Sequence, residues 1–307
     1  MRAAFSDTLV ELARRDPRVL LLTGDHGYAL FDAFRKACPQ QYINAGIAEQ
    51  NMVGMAAGLA RMGFRPFVYG LAAFIPVRVV EQIKLDIAHD NLPVVLLGDG
   101  AGFVYSHLGT SHQSTEDIAC TRSIPNLAVL SPADRFEQTA CMLWAYASKG
   151  PVYLRMGKSD RGDVHQSALN TPLDAPLQIK AGEPGGLALL ATGSMVKTAQ
   201  ELVQSDLPHA AIYSVPCLKP LDHQAMVNVI AGHRLLVTLE EHHTDGGLGS
   251  LVCELSAEHM PRKVLRIGIA DRFSEHCGTY QYLLKEHGID LPAVREKVLQ
   301  FASQNAS

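Results

Sequence analysis

Residues 44–62 read NAGIAEQNMVGMAAGLARM, and the interpretation of the whole chain starts from this stretch. Asn44 is a residue type that caps helix N-termini, so a helix is expected to follow it, with Glu49 near its start. Glycine inside a helix costs roughly 1 kcal/mol against alanine, so a cluster of small residues suggests a close packing partner. The small residues are Gly54, Ala57, Gly58 and Ala60. On local chemistry alone, Glu49 is either a first-turn glutamate favoured by the helix dipole or a functional acid.

The composition describes a globular protein of two domains. The chain has 307 residues, of which 47% are hydrophobic and 19% charged. Its net charge of -4 provides no basic field for nucleic acid or anionic lipid. No apolar run reaches the roughly 18 residues needed to span a bilayer. Six cysteines are scattered without metal-ligand spacing, as reduced thiols are, so a cytoplasmic location is expected.

Short runs rich in Val, Leu and Ile alternate with helical patterns, which is typical of parallel α/β layers. The predicted strands are 19–25, 65–70, 92–100, 127–134 and 151–157, then 186–194, 210–216, 234–242 and 263–271. Between the two groups, residues 161–184 are polar, contain Pro and Gly, and lack a sustained period, which predicts an interdomain linker. The sequence therefore indicates two α/β domains, residues 1–160 and 185–307.

A GDG triplet at 98–100, followed by Asn126, is similar to the diphosphate–Mg²⁺ motif of thiamine diphosphate enzymes. In that motif an Asp, an Asn and a carbonyl oxygen hold the metal. Here Asn126 lies directly before a predicted strand and has no acidic residue beside it. We therefore interpret the triplet as a turn at the end of a strand, and no metal site is expected in this chain.

The loop 105–122, YSHLGTSHQSTEDIACTR, carries two histidines. His107 and His112 are five residues apart, which is poor geometry for one zinc ion without further ligands. Ser114 or Thr115 is expected to cap a following helix whose first turn holds the acidic residues of the loop. His112 is the better candidate for a polar contact with a substrate.

Together these stretches resemble the C-terminal half of the transketolase family. Residues 43–60, INAGIAEQNMVGMAAGLA, are similar to the signature of its pyrimidine-binding domain. Four further stretches follow in the family's order: AAFIPVRVVEQIK (72–84), SHQSTEDIACTRSIPNLAVLSPAD (111–134), EEHHTDGGLGS (240–250) and IADRFSEHCG (269–278). The resemblance covers about residues 20–290, and its most specific part is the AEQNM core.

The resemblance implies two consecutive three-layer α/β domains. Residues 1–160 would form a parallel-sheet pyrimidine-binding domain, and residues 161–184 a linker. Residues 185–307 would form a smaller, mixed-sheet transketolase C-terminal domain.

The resemblance also implies thiamine diphosphate as the cofactor. The family's counterpart of Glu49 hydrogen-bonds a ring nitrogen of the aminopyrimidine, and Phe74 matches the aromatic position that stacks on this ring. Ile47 and Leu71 are expected to line the same pocket. Leu71 departs from the family, because it occupies a position that is aromatic in its other members.

For the substrate, His112 matches the family's substrate-facing histidine and is expected to act in catalysis with Glu49. Arg155 resembles a position that binds a substrate phosphate, and Tyr105, His107 and Asp25 are further expected contacts. The acceptor-site histidine and aspartate of ordinary transketolases are replaced by Gly100 and Leu108.

A transketolase of the usual kind also has an N-terminal domain with the diphosphate–Mg²⁺ motif, which this sequence does not contain. The resemblance therefore implies a separate subunit that carries this domain and holds Mg²⁺. An α₂β₂ assembly is expected, with self-association through the pyrimidine-binding domain and the small-residue face of the Glu49 helix at a subunit contact. Sugars are the expected substrates.

The leading hypothesis is the C-terminal subunit of a two-chain transketolase that transfers a two-carbon ketol unit to an aldose-type acceptor. The alternatives are the β subunit of a 2-oxo acid dehydrogenase and a non-catalytic paralogue. GIAEQNM, in place of a PLAEQ-type segment, favours transketolase, and the presence of Glu49 argues against a non-catalytic role.

Overall fold

The computed structural model describes residues 1–27, 29–158 and 160–305. In this part of the chain the first domain contains six strands of one parallel sheet. The strands are β1 Val19–Thr23, β2 Tyr42–Asn44, β3 Arg65–Leu71, β4 Val95–Asp99, β5 Ala128–Leu130 and β6 Val152–Met156. The helices are α1 Arg2–Arg15, α2 Asp32–Ala37, α3 Glu49–Arg61, α4 Val80–Gln82, α5 Asp117–Arg122 and α6 Arg135–Ala147.

Alternating side chains of the strands build two apolar layers in the first domain. Leu21 of β1 faces α1 and α6, whereas Leu22 faces α3 and the helical segment 80–88. Because successive strand residues point to opposite faces, a continuous apolar run is buried on both sides of a sheet. The expected three-layer arrangement is confirmed for this domain.

The second domain repeats this plan around a smaller sheet. Its strands are β7 Leu177–Lys180, β8 Gly185–Ala191, β9 Ala211–Ser214, β11 His233–His243 and β12 Lys263–Ile269, with β10 Cys217–Lys219 paired elsewhere. Its helices are α7 Met195–Ser205, α8 His223–Ala231, α9 Leu248–His259, α10 Tyr280–Glu286 and α11 Leu291–Gln304. The sheet is mixed, because β7 runs antiparallel to β9 while the other described pairs are parallel. The expected mixed sheet is confirmed.

The two domains share one strand. The short strand β10 leaves the second domain and pairs antiparallel with β5, where Cys217 lies opposite Leu130. The first sheet therefore has the order β10-β5-β6-β4-β3-β1-β2 among the described residues. This pairing was not predicted, since a three-residue strand carries too little pattern to identify its partner.

The expected linker differs in part from the structure. The stretch 161–184 connects the domains, but Leu177–Lys180 within it form the edge strand β7 and so belong to the second sheet. The segment that follows β3 changes its helical type along its length. It runs from a 3₁₀ turn at Val77–Val79 through α4 into a π-helical turn at Ile83–Ala88.

Candidate active site

The expected site residues lie at the carboxyl edge of the first sheet. Asp25 follows β1, Glu49 follows β2, Phe74 follows β3 and Tyr105 follows β4. Because neighbouring strands of this sheet are parallel, the loops after them converge on one edge, where ligands of open α/β sheets bind. The edge is therefore the candidate active site.

Glu49 is the first residue of α3, and its side chain is buried, with 7% of the residue exposed. The expectation that Asn44 caps this helix is wrong. Asn44 ends β2, and its Oδ1 accepts a hydrogen bond of 2.8 Å from the amide of Gly46. Ala48 holds the N-cap position and makes no side-chain cap bond. The helix begins later than expected because the chain makes a turn after β2, with φ of +74° at Gly46.

One arginine connects Glu49 to Phe74. Nη1 of Arg78 donates a hydrogen bond of 2.8 Å to Oε1 of Glu49. The same guanidinium lies over the ring of Phe74, with Cζ 3.9 Å from the ring centroid. Phe74 is 8% exposed, so its ring and the carboxylate form the buried floor of the site and Arg78 covers them. Nothing in the local sequence pattern reveals this position of Arg78.

Two histidines flank Phe74. The ring centroid of His112 is 5.3 Å from that of Phe74, and the centroid of His26 is 5.4 Å from it. The structure thus brings His112 next to the expected cofactor residues. His26 was missed, although its place directly after a buried strand was a usable signal. Asp25 is exposed, and its Oδ1 lies 3.2 Å from Nδ1 of His26.

The remaining expected residues of this pocket differ in how far they are buried. Leu71 is the last residue of β3, three residues before Phe74, and its side chain is buried. Ile47 is 76% exposed and does not contribute to the buried floor within this chain. His107 is exposed on a 3₁₀ turn, whereas His112 packs against Phe74.

A polar cluster surrounds Asp99 at the end of β4. Its Oδ2 accepts hydrogen bonds from Arg2 at 2.9 Å, Tyr69 at 2.7 Å and Tyr105 at 3.0 Å. Burial, reinforced by the Asp99 carboxylate, raises the pKa of Tyr105 to about 12. At Gly100, where φ is +80°, a Cβ atom would lie 2.0 Å from Cε2 of Tyr105. Tyr105 therefore occupies the space that a side chain at position 100 would need.

The GDG triplet and Asn126 lie at opposite edges of the sheet. Asp99 ends β4, whereas Asn126 precedes β5, and both strands run parallel to β6. Asn126 donates a hydrogen bond of 2.9 Å to the carbonyl oxygen of Ala88. In the described ranges no group of three or more His, Cys, Asp or Glu side chains is arranged to hold a metal ion.

The expectation that Arg155 binds a substrate phosphate is not supported by its surroundings. Arg155 is 2% exposed, and its Nε donates a hydrogen bond of 2.8 Å to Oδ2 of Asp117. Its Nη2 donates to the carbonyl oxygen of Glu241 at 2.8 Å. Burial lowers the pKa of Arg155, but the combined effect of Asp117, Tyr153 and Glu241 outweighs it, so the pKa is raised. Arg155 is a buried charge that connects the two domains.

The capping expectation for the same loop is also wrong. Glu116 holds the N-cap position of α5 and makes no side-chain cap bond there, while the carboxylate of Asp117 turns into the protein. Ser114 is fully buried and does not hold the N-cap position of this helix.

A further buried polar group lies between the domains and was not singled out from the sequence. Oε1 of Glu241 accepts a hydrogen bond of 2.7 Å from the amide of Phe103, and Oε2 accepts from the hydroxyl groups of Ser194 and Tyr280. The contacts join the loop after β4 to α7 and α10. They join the second domain to the loop after β4.

Two family comparisons match this architecture. Residues 1–162 match the family described as "Transketolase, pyrimidine binding domain", and residues 182–294 match "Transketolase, C-terminal domain". A "Putative transketolase C-terminal section" of Methanocaldococcus jannaschii is 33% identical over 98% of this chain and 95% of its own length. One of the subunits of the apulose-4-phosphate transketolase of Phocaeicola vulgatus is 31% identical over 99% of this chain and 97% of its own length.

Among solved structures, "Split gene transketolase, inactive beta4 tetramer" has a TM-score of 0.88 and 33% identity, covering 97% of both chains. The chain therefore belongs to the transketolase family. Within that family it corresponds to the C-terminal subunit of a split transketolase, in which the pyrimidine-binding domain is followed by the C-terminal domain.

The family implies thiamine diphosphate, and the residues present fit its aminopyrimidine ring. Such a ring needs an apolar face to stack on and an acceptor for its nitrogen-bound hydrogen. Phe74 and Glu49 supply these two features, and the planar, nitrogen-bearing guanidinium of Arg78 already contacts both.

A separate finding concerns membranes: among the described residues, no helix is long and apolar enough to cross a bilayer.

Proposed function

We propose that this chain contributes the pyrimidine half of a thiamine diphosphate site whose other half is carried by a separate subunit. The observation that supports this most directly is the buried carboxylate of Glu49, joined through Arg78 to the face of Phe74. The assembled enzyme would transfer a two-carbon ketol unit from a ketose to an aldose-type acceptor.

In this proposal the residues of the site have separate tasks. Glu49 hydrogen-bonds a ring nitrogen of the aminopyrimidine and holds the shared proton there. Phe74 orients the ring by stacking, and Leu71 supplies apolar surface beside it. His112 faces the substrate and exchanges a proton with its hydroxyl groups. The cofactor, when bound, supplies the nucleophilic carbon that attacks the ketose carbonyl.

The partner subunit is proposed to hold the diphosphate group and Mg²⁺. Hard oxygen ligands are needed for this ion, and the family's diphosphate–Mg²⁺ motif, which supplies them, is expected in the other subunit. The similar solved chain is described as an inactive β₄ tetramer, which fits a subunit that needs a second chain. We propose an α₂β₂ assembly in the cytoplasm, and Ile47, exposed two residues before α3, is a candidate contact with another chain.

The substrate is proposed to be a sugar of the class that the relatives use. The Phocaeicola vulgatus relative is named for apulose 4-phosphate. Tyr105 fills the space beside Gly100 in this chain, so the acceptor side of the pocket differs from one with a larger residue at position 100. Tyr105 and His107 are the proposed contacts on that side, and Asp25 lies near His26 on the other.

The decisive experiment reconstitutes this chain with the subunit that carries the diphosphate motif and measures ketol transfer. The complex with Glu49→Gln should lose nearly all activity, since glutamine cannot hold the shared proton. Glu81→Gln is the matched control, because Glu81 is an exposed carboxylate on α4. Full activity of the Glu49→Gln complex would contradict the proposed mechanism. Turnover of a 2-oxo acid with an electron acceptor, without ketose turnover, would favour the dehydrogenase alternative instead.

The requirement for a partner has its own test. The chain alone should show no ketol transfer and only weak binding of Mg²⁺-thiamine diphosphate by calorimetry. Tight binding by this chain alone would contradict the shared site.

A further inference from the structure

Arg78 makes two contacts that an aminopyrimidine ring would make in this site. It donates a hydrogen bond of 2.8 Å to Oε1 of Glu49, and its Cζ lies 3.9 Å from the ring centroid of Phe74. A guanidinium group is flat and delocalised, carries N–H donors at its edge and stacks on aromatic faces. An aminopyrimidine is likewise flat and carries N–H donors at its edge.

The two groups cannot occupy this position together. A ring stacked on Phe74 needs the space directly above its face, where the guanidinium now lies. The Arg78–Glu49 contact also uses Oε1 of the carboxylate that would receive the ring nitrogen. Binding of the ring therefore requires Arg78 to leave both partners.

We propose that Arg78 is an internal stand-in for the aminopyrimidine, which occupies its site in the free chain and is displaced when the cofactor binds. This inference rests on the proposed function, because it assigns that cofactor to this pocket. Arg78 covers the site when the ring is absent and opens it when the ring arrives.

The physical reason for a stand-in is the burial of Glu49. An ionised carboxylate taken out of water without a partner is costly, and the side chain of Glu49 is only 8% exposed. Arg78 supplies the missing positive charge and hydrogen bond until a ligand does so. Its own side chain is 45% exposed, so it can turn towards solvent by side-chain rotation, without refolding the core.

The displacement has a measurable consequence for affinity. When only a fraction of the protein is in the binding-competent state, the apparent dissociation constant is the intrinsic one divided by that fraction. If the open state accounts for roughly a tenth of the molecules, removal of Arg78 lowers the apparent dissociation constant about tenfold. Arg78 therefore weakens cofactor binding, although it contacts the cofactor's own partners.

The test measures the dissociation constant of Mg²⁺-thiamine diphosphate for the two-chain complex by calorimetry. Arg78→Ala should tighten binding by about tenfold, and Arg78→Gln should tighten it as well. The matched control is Arg135→Ala. Arg135 also stacks on a phenylalanine, with Cζ 4.6 Å from the ring centroid of Phe136, and pairs with Asp163 at 2.9 Å. Arg135 follows β5, which lies three strands away from β3 in the sheet. Its removal should therefore leave the dissociation constant of the cofactor unchanged.

A second measurement, the thermal unfolding of the complex, does not depend on catalysis. In the cofactor-free complex, Arg78→Gln should lower the thermal midpoint, because Glu49 then lacks its partner. Saturating cofactor should remove most of that difference, since the ring replaces the lost contacts.

The outcomes separate this inference from the proposed function. Equal dissociation constants for the wild-type and both Arg78 variants, or weaker binding by the variants, would overturn the stand-in and leave the proposed function intact. Failure of every complex to bind the cofactor would overturn both. Tighter binding by the variants, with an unchanged Arg135→Ala control, would support both.

Discussion

Nε of Arg155 donates a hydrogen bond of 2.8 Å to Oδ2 of Asp117, and both side chains are almost completely buried. Oδ2 of Asp117 also accepts a hydrogen bond of 2.6 Å from the hydroxyl group of Tyr153. The pair links the end of β6 to the start of α5, and Nη2 of Arg155 reaches Glu241 of the second domain. This ion pair is part of the domain interface.

Breaking the pair should destabilise the fold. Arg155→Leu leaves Asp117 as an uncompensated buried charge, so the free energy of unfolding should fall by about 3–5 kcal/mol, measured by urea denaturation. Arg15→Leu is the control, because Arg15 pairs with Glu11 on the surface and both are solvated. A variant as stable as the wild type that had lost affinity for a sugar phosphate would restore the role expected from the sequence.

The second prediction concerns pH and Glu240. The amides of Leu248 and Gly249, at the start of α9, donate hydrogen bonds of 2.7 and 2.8 Å to its carboxylate. Burial outweighs these bonds and raises the pKa of Glu240 to about 7. A raised folded-state pKa means that the folded protein binds more protons than the unfolded chain between the unfolded value, about 4.5, and about 7. The contribution of Glu240 to stability is thus fully present at low pH and is lost as the pH rises through 7.

Glu240→Gln removes this titration. The stability difference between the wild type and the variant should therefore change in favour of the wild type as the pH falls from about 7 to about 4.5. The slope should be up to about 1.4 kcal/mol per pH unit, measured by urea denaturation across that range. Glu258→Gln, at an exposed site on α9, should show no such slope. A difference that is constant with pH would contradict the assignment.

The third prediction separates folding from assembly on α3. Ala57 and Ala60 of the small-residue cluster are buried inside this chain, but a Cβ atom added at Gly54 or Gly58 would meet no atom within 4 Å. The double variant Gly54→Ala, Gly58→Ala should raise the free energy of unfolding of the isolated chain by up to about 1 kcal/mol per site. The same variant should weaken assembly, because another chain loses its close approach.

Analytical ultracentrifugation of the reconstituted complex measures that second effect. Gln300→Ala, on the exposed face of α11, should leave assembly unchanged. If the Gly54→Ala, Gly58→Ala variant were more stable than the wild type and assembled equally well, the α3 face would not be a subunit contact.

The fourth prediction tests His112 against its neighbour in the same loop. His112 packs against Phe74, whereas His107 is exposed. His112→Asn should lower kcat/KM for the ketose by about 10²-fold, the lower end expected for a lost proton-transfer group. The dissociation constant of the cofactor should change little, and His107→Asn should keep most of the activity. Equal losses in the two variants would contradict a specific role for His112.

The sequence alone was enough to predict the two α/β domains, the helix of Glu49 and the family. These features rest on local patterns: alternating apolar runs, a helix of small residues and an ordered set of motifs. Glu49, Phe74 and His112 were proposed as site residues for the same reason, since each lies within such a motif.

Other features were decided only by the tertiary structure, because they depend on which distant groups meet in the interior. Local sequence does not show that Arg155 turns inward to Asp117, or that β10 pairs with β5. Nor does it show that Arg78 lies on Phe74 and Glu49. A buried charge must find a partner wherever the chain provides one, and that partner is chosen by packing across the whole fold. The sequence thus predicted the two domains and the residues of the candidate site. Tertiary contacts decided which charged side chains are locked in buried ion pairs, as Arg155 is, and which are partly exposed, as Arg78 is.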